Sequence, residues 1–158
     1  MKKIFGKSAI ALGALAIVAG SAMAAGHIGE AVKARQALMK GYGAQMGVLG
    51  GMAQGKIDYD AAKASEAAAA LLALVQSDQS GMWPEGSDNF ELGADVTRAV
   101  PAIWENLPDV GAKASDLAAA AAAMNAAAGT DLAALQGAIG GVGRACGACH
   151  QPYRAPKP

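Results

Sequence analysis

The chain holds two cysteines, and both fall within one segment, Cys146-Gly147-Ala148-Cys149-His150. On a helix, cysteines with this C-x-x-C-H spacing reach the two vinyl groups along one haem edge, and the histidine that follows turns its imidazole onto the iron. Gly147 and Ala148 suit such a site because larger side chains would crowd the porphyrin. Three other chemistries are open to the same residues. A dithiol of the thioredoxin kind belongs near a βαβ pattern, which this sequence lacks. A tetrahedral zinc site needs a fourth ligand beyond Cys146, Cys149 and His150. A disulfide joining the two sulfurs leaves His150 without a role. One covalently bound haem c uses all three residues, and the spacing favours it.

The composition points the same way. The 158 residues are 53% hydrophobic but only 4% aromatic, and alanine comes in runs such as Ala67 to Ala70 and Ala118 to Ala123. Alanine has the best helix propensity, so the expected fold is all-α. It also fills little volume, and helices packed through alanine leave a thin core that a large apolar group would complete. The length supports a single domain. With 13 basic and 13 acidic residues and 16% charged residues, the chain has neither the basic excess of a nucleic-acid binder nor the composition of a disordered tail.

Residues 1–24 read as a cleaved signal peptide, leaving residues 25–158 as the working domain. Lys2, Lys3 and Lys7 make a cationic start, Ala9 to Ala19 is an apolar run too short for the ~20 residues of a spanning helix, and Ala22-Met23-Ala24 offers small residues to a signal peptidase. Without those three lysines, 10 basic residues face 13 acidic ones, a formal charge of −3. Export to the periplasm agrees with haem attachment after translocation, and no membrane span is expected after cleavage.

Four helical seams position these groups. The first runs through Ile28, Val32, Met39, Tyr42, Met46, Leu49 and Ala53 in steps of three and four, provided Arg35 is counted in the buried stripe. Gly41, Gly43, Gly47 and Gly50 on this helix point to close approach of another backbone or a bulky group. Asp58 is the expected N-cap of a second helix from about Tyr59 to Gln76, with Ala61, Ala64 or Ala68, Leu71, Leu72 and Val75 inward. Gln79 to Asp95 reads as a long connection, its Trp83 and Phe90 folded down over the core. A third helix is expected from about Pro101 to Ala128, kinked or divided at Pro108, with a seam from Trp104 and Leu107 to Met124. Thr130 or Asp131 caps a fourth, whose seam of Leu132, Leu135, Ile139 and Val142 continues into Cys146, Cys149 and Tyr153. This pattern predicts an up-and-down antiparallel four-helix bundle enclosing one haem.

Together with Arg35-Gln36-Ala37-Leu38-Met39-Lys40 in the first helix, Ala102-Ile103-Trp104 opening the third, and the haem motif running to Arg154, this layout resembles the class II cytochromes c, cytochrome c′ and its low-spin relatives. The resemblance spans essentially the whole chain after residue 24. It implies a periplasmic haem protein, often a homodimer through its first two helices, with the first helix facing the haem opposite the histidine. The position four after an arginine is the one that faces the iron, and here it is Met39. High-spin members keep a non-bonding residue there, whereas low-spin members use a methionine as sixth ligand. The resemblance also places Arg154 beside the proximal histidine, where a cation would tune the iron; a helix-ending cation complementing the dipole is the other reading.

From the residues themselves, the Met39 thioether is a soft ligand well matched to haem iron, and the alternative is a methionine filling core space. Arg35 in a buried seam calls for an anionic partner such as a haem propionate, with Gln36 in support, or else snorkels to the bundle end. Tyr153 and Arg154 return to the face of His150. Met46 and Met52 lie further along the first helix, and His27 reads as a surface residue. No free cysteine, paired buried carboxylates or distal acid–base histidine offers a substrate-activating set, so the expected role is one-electron transfer between redox partner proteins rather than enzymatic catalysis. The alternative is binding or scavenging nitric oxide or another diatomic gas at an open sixth position.

Overall fold

The computed structural model describes the backbone of residues 16–158, with side chains from residue 26 onward. Residues 1–15 of the expected signal peptide lie outside the described residues. The expected cleavage point after Ala24 falls within the first helix, α1 (Ala16–Ala53).

The fold is all-α. Alanine-rich segments form α2 (Ala61–Val75), the single turns α3 (Asn89–Leu92) and α4 (Ala102–Glu105), α5 (Leu107–Ala127) and α6 (Leu132–Tyr153). Three of these starts carry a carboxylate cap. Asp60 accepts from the Lys63 N–H at 3.0 Å, Asp88 from Phe90 and Glu91, and Asp131 from Ala134 at 2.8 Å. The cap of α2 is therefore Asp60 and not Asp58. Gly55, at φ +68°, lets the chain turn back so that the Lys56 and Ile57 N–H groups donate to Gly51 O at 2.9 and 3.2 Å. That closure carries the end of α1 through Ile57, and Asp58 belongs to the exit from it.

The expected third helix is two helices. The backbone breaks at Asn106 (φ −140°, ψ 50°), and Pro108 sits in the first turn of α5, where its missing N–H leaves no hydrogen bond unmade. Leu107, expected in the seam, is 54% exposed because it opens α5 ahead of the packed turns. α6 tolerates Pro152 only because the helix ends at the next residue, with the Arg154 N–H closing onto His150 O at 3.2 Å.

α1 packs on α2 and α6, and α5 packs on those same two, which closes the four long helices into a bundle. Fully buried Leu49, Met52, Leu71, Met124, Leu135 and Val142 come from the end of α1, the body of α2, the end of α5 and the first half of α6. The aliphatic core thus fills one end of the bundle. The opposite end receives the middle of α1, the C-terminus of α2, the start of α5 and the C-terminus of α6. Among the described residues, no helix is long and apolar enough to cross a membrane.

The α1 stripe differs in detail from its expected course. Leu38 and Met52 are buried, whereas Met39 is 37% exposed. Met39 lies at the other end of the bundle from the aliphatic core and lines a cavity there. Close approach holds at Gly41, where an added Cβ would stand 3.0 Å from Leu74 Cδ1, but Gly43 and Gly47 have no such neighbour within 4 Å.

Candidate functional site

The end of the bundle without aliphatic packing contains a cavity of about 830 Å³, within the ~300–1,000 Å³ typical of small-molecule and cofactor sites. Arg35, Gln36 and Met39 from α1 line it together with Cys146, Cys149, His150 and Tyr153 from α6 and Arg154, which caps that helix. Eight residues singled out in the sequence, some from spacing and some from the family resemblance, therefore line one space. Val75, Ile103, Val110 and Leu117 add apolar wall from α2, α4 and α5. Gly43, one turn beyond Met39, borders the same space. Met46 also lines it; Met52 is buried in the aliphatic core, and His27 is exposed near the start of the chain's described side chains.

The thiols of Cys146 and Cys149 are both free and half-buried, and burial is the main influence pushing both up from the usual thiol range. Burial lowers the affinity of His150 for a proton, and the Arg154 and Arg98 cations lower it further. A neutral imidazole is the form that binds a metal. Among the described residues, no cluster of three or more His, Cys, Asp or Glu side chains is arranged to hold a bare metal ion. Two thiols and one neutral imidazole at the edge of a large, largely apolar cavity instead fit a flat, covalently tethered metal complex.

Arg35 is 3% exposed, and its hydrogen-bond partners within the chain are hydroxyl and carbonyl oxygens. Nη1 donates to Ser87 Oγ at 2.6 Å and Met82 O at 3.4 Å, while Nη2 donates to Thr97 Oγ1 at 2.8 Å and to Ser87 O. The guanidinium also stands 5.0 Å from the Trp83 ring centre and 6.0 Å from that of Trp104. Sequence reasoning missed these partners because hydroxyls and carbonyls in an irregular loop carry no periodic signal. Gln36 joins the same loop through Val96 O at 2.7 Å. Trp83 covers the cavity as expected of it, held by the Trp104 indole N–H donating to its carbonyl at 3.1 Å. Phe90 does not: it is 84% exposed, on a one-turn helix fixed from below by Asp88. Arg35→Met is expected to cost about 2–4 kcal/mol, since it removes a charged donor and leaves the buried Ser87 and Thr97 oxygens unmatched. Urea unfolding checks this, with hydrogen exchange rising first in the 82–97 loop.

A second network ties α5 to α6. The Tyr153 hydroxyl donates to Asp109 Oδ2 at 2.6 Å, and Lys113 Nζ stands 2.9 Å from Asp109 Oδ1. The Tyr153 and Lys113 bonds hold the Asp109 carboxyl below the usual carboxylate range. Because its folded-state pKa is depressed, its stabilising contribution is present above the unfolded value of ~3.9 and is lost as pH falls through the folded one. Asp109→Asn is therefore expected to flatten the acid limb of the stability curve below about pH 4. Thermal unfolding of variant and parent across that limb is the measurement.

Comparison with known proteins gives one consistent result. The profile of the family described as Cytochrome C′ matches residues 30–154. A cytochrome c-554 of Cereibacter sphaeroides is 45% identical over 128 residues, covering 81% of this chain and 95% of that protein. A cytochrome c′ of Allochromatium vinosum is 35% identical over 157 residues, covering 98% of this chain and 99% of its own. Among solved structures, a cytochrome c′ from "Rhodobacter Spheriodes" superposes with a TM-score of 0.77 at 32% identity, covering 81% of this chain and 97% of that one.

Proposed function

Since the chain belongs to the cytochrome c′ family, whose members carry covalently attached haem c, we propose that it is a periplasmic one-electron carrier. Cys146 and Cys149 would hold the porphyrin edge, His150 would bind the iron, and Met39 would be the α1 residue available to it. The observation that carries this reading is the convergence of these four residues on one cavity, from two different helices. When bound, the haem supplies a reversible one-electron couple between ferrous and ferric iron.

The remaining work falls to the chain. Burial lowers the affinity of His150 for a proton, with Arg154 and Arg98 contributing, and so favours the form that coordinates. The Arg35-anchored loop and Trp83 form part of the cavity wall. Arg154 places a cation near the proximal side, where positive charge disfavours the oxidised iron. The expected signal peptide, residues 1–24, would direct this domain to the compartment in which c-type haem is attached.

One observation favours a second role, binding nitric oxide or another diatomic gas. Gly43 borders the cavity one turn from Met39 without a side chain, which leaves space on the α1 side for a small ligand. The optical spectrum of the purified holoprotein separates the two roles. Low-spin bands with no change under carbon monoxide belong to the electron carrier; high-spin bands that shift under carbon monoxide belong to the gas binder.

A further inference from the structure

The turn of α6 that carries His150 is weak by itself. Pro152 brings no N–H to the helix, so this last turn makes one internal hydrogen bond fewer before α6 ends at Tyr153. Bonds from outside hold it. Three of them tie the chain, where it leaves the helix, to the segment ahead of α4. The Val100 N–H donates to Tyr153 O at 3.4 Å, the Ala155 N–H to Arg98 O at 2.8 Å, and Arg98 Nε to Ala155 O at 2.7 Å. All three act at or beyond Tyr153, and none fixes the turn from the side of α5.

Asp109 does. Its Oδ2 accepts from the Tyr153 hydroxyl at 2.6 Å, the one hydrogen bond between α5 and α6 among the described residues. A bond of that length to an ionised acceptor is of the stronger, charge-assisted kind. Asp109 lies in the first turn of α5, where the helix N-terminus favours an ionised carboxylate. Its Oδ1 stands 2.9 Å from Lys113 Nζ, so both carboxylate oxygens are held. Lys113 lines the cavity, and beside it the charge of Asp109 is offset; what Asp109 passes to α6 is the hydrogen bond. Tyr153 is buried, lines the same cavity, and follows His150 by three residues, nearly one turn. The two side chains therefore leave α6 on one face.

We propose that Asp109 is a positioning residue for the iron ligand: acting through Tyr153, it fixes the last turn of α6 and with it the direction of the His150 imidazole. The inference rests on the reading of His150 as the residue that binds haem iron, and it applies to the electron carrier and the gas binder alike. A ligand on a loosely held turn presents its ring plane in several directions. One whose supporting turn is pinned from a neighbouring helix presents it in one, which is the part that groups behind a metal ligand play.

The test compares the ferric holoprotein with its Tyr153→Phe, Asp109→Ala and Asp109→Asn variants. Tyr153→Phe removes the donor and leaves the Lys113 pair; Asp109→Ala removes both contacts; Asp109→Asn keeps an acceptor for Tyr153 and gives up the charge. The hyperfine-shifted NMR signals of the haem methyl groups report the direction of the imidazole plane, and a loss of stability alone does not reorder them. Tyr153→Phe and Asp109→Ala are expected to move these signals in the same way, their combination no further, and Asp109→Asn to leave them near the parent's. Amide exchange at His150 and Gln151 should rise about tenfold in the first two, the factor that a hydrogen bond to a charged group supplies. Faster exchange with unmoved methyl signals would make the bond a structural one only and overturn the proposal. A reduction potential raised alike in Asp109→Ala and Asp109→Asn but not in Tyr153→Phe would make Asp109 a counter-charge to Lys113, and would overturn it too. A parent in which no His150 ring signal is shifted by the iron would remove the ligand reading itself, and this inference with it.

Discussion

Cys146→Ala combined with Cys149→Ala is expected to yield protein with no covalently retained haem, even when expressed with a periplasmic maturation system. Each sulfur forms one bond to one vinyl group, so each single substitution leaves one thioether and the pair leaves none. His150 alone then holds the group by coordination, which denaturation breaks. The cavity walls contribute apolar contact but no further thioether tether, because these two are the only thiols in the chain. Burial pushes both thiols up, which lowers their thiolate fraction and so their reactivity as free nucleophiles. Haem staining after denaturing electrophoresis reads the result: full for the parent, retained in each single variant, absent in the double. Staining that persists in the double variant would show that another residue carries the attachment.

The sequence made some parts of this molecule legible and left others hidden, for physical reasons. Helix periodicity is a property of one element at a time, so Val32, Tyr42, Leu49, Leu135 and Val142 could be placed inside from spacing, and they are buried. The C-x-x-C-H segment was equally legible because its chemistry is local. Breaks in the chain were harder. Asp58 and Asp60 are both reasonable caps on local grounds, and only the left-handed turn at Gly55, which carries α1's closing bonds through Ile57, decides for Asp60. Arg35 shows the deeper limit. Its place in a buried seam correctly announced that the guanidinium must be satisfied, but the partners came from Ser87 and Thr97, more than fifty residues away in an irregular loop. Phe90 fails for the converse reason: hydrophobicity predicts burial on average, and a one-turn helix capped by Asp88 can hold an aromatic in water.

Met39→Ala is expected to convert a low-spin protein into a high-spin one. If the Met39 sulfur occupies the sixth position, its loss opens the iron, carbon monoxide then binds readily, and the reduction potential falls because thioether ligation favours the ferrous state. The site allows this movement. Met39 lines the cavity and lies apart from the aliphatic core at the other end of the bundle, so truncation disturbs little of that core. Stability measured by urea should accordingly change less than the 2–5 kcal/mol usual for removing a packed methionine, apart from the lost coordination bond. If Met39 is only a steric cap, the parent is already high spin, and the same substitution speeds carbon monoxide binding without changing spin state or moving the potential far. Optical spectra with and without carbon monoxide, together with a redox titration, distinguish these outcomes. A low-spin parent left low spin by Met39→Ala would exclude both roles for this residue. The sixth ligand would then be sought at Met46, which also lines the cavity, ahead of the exposed His27, which does not.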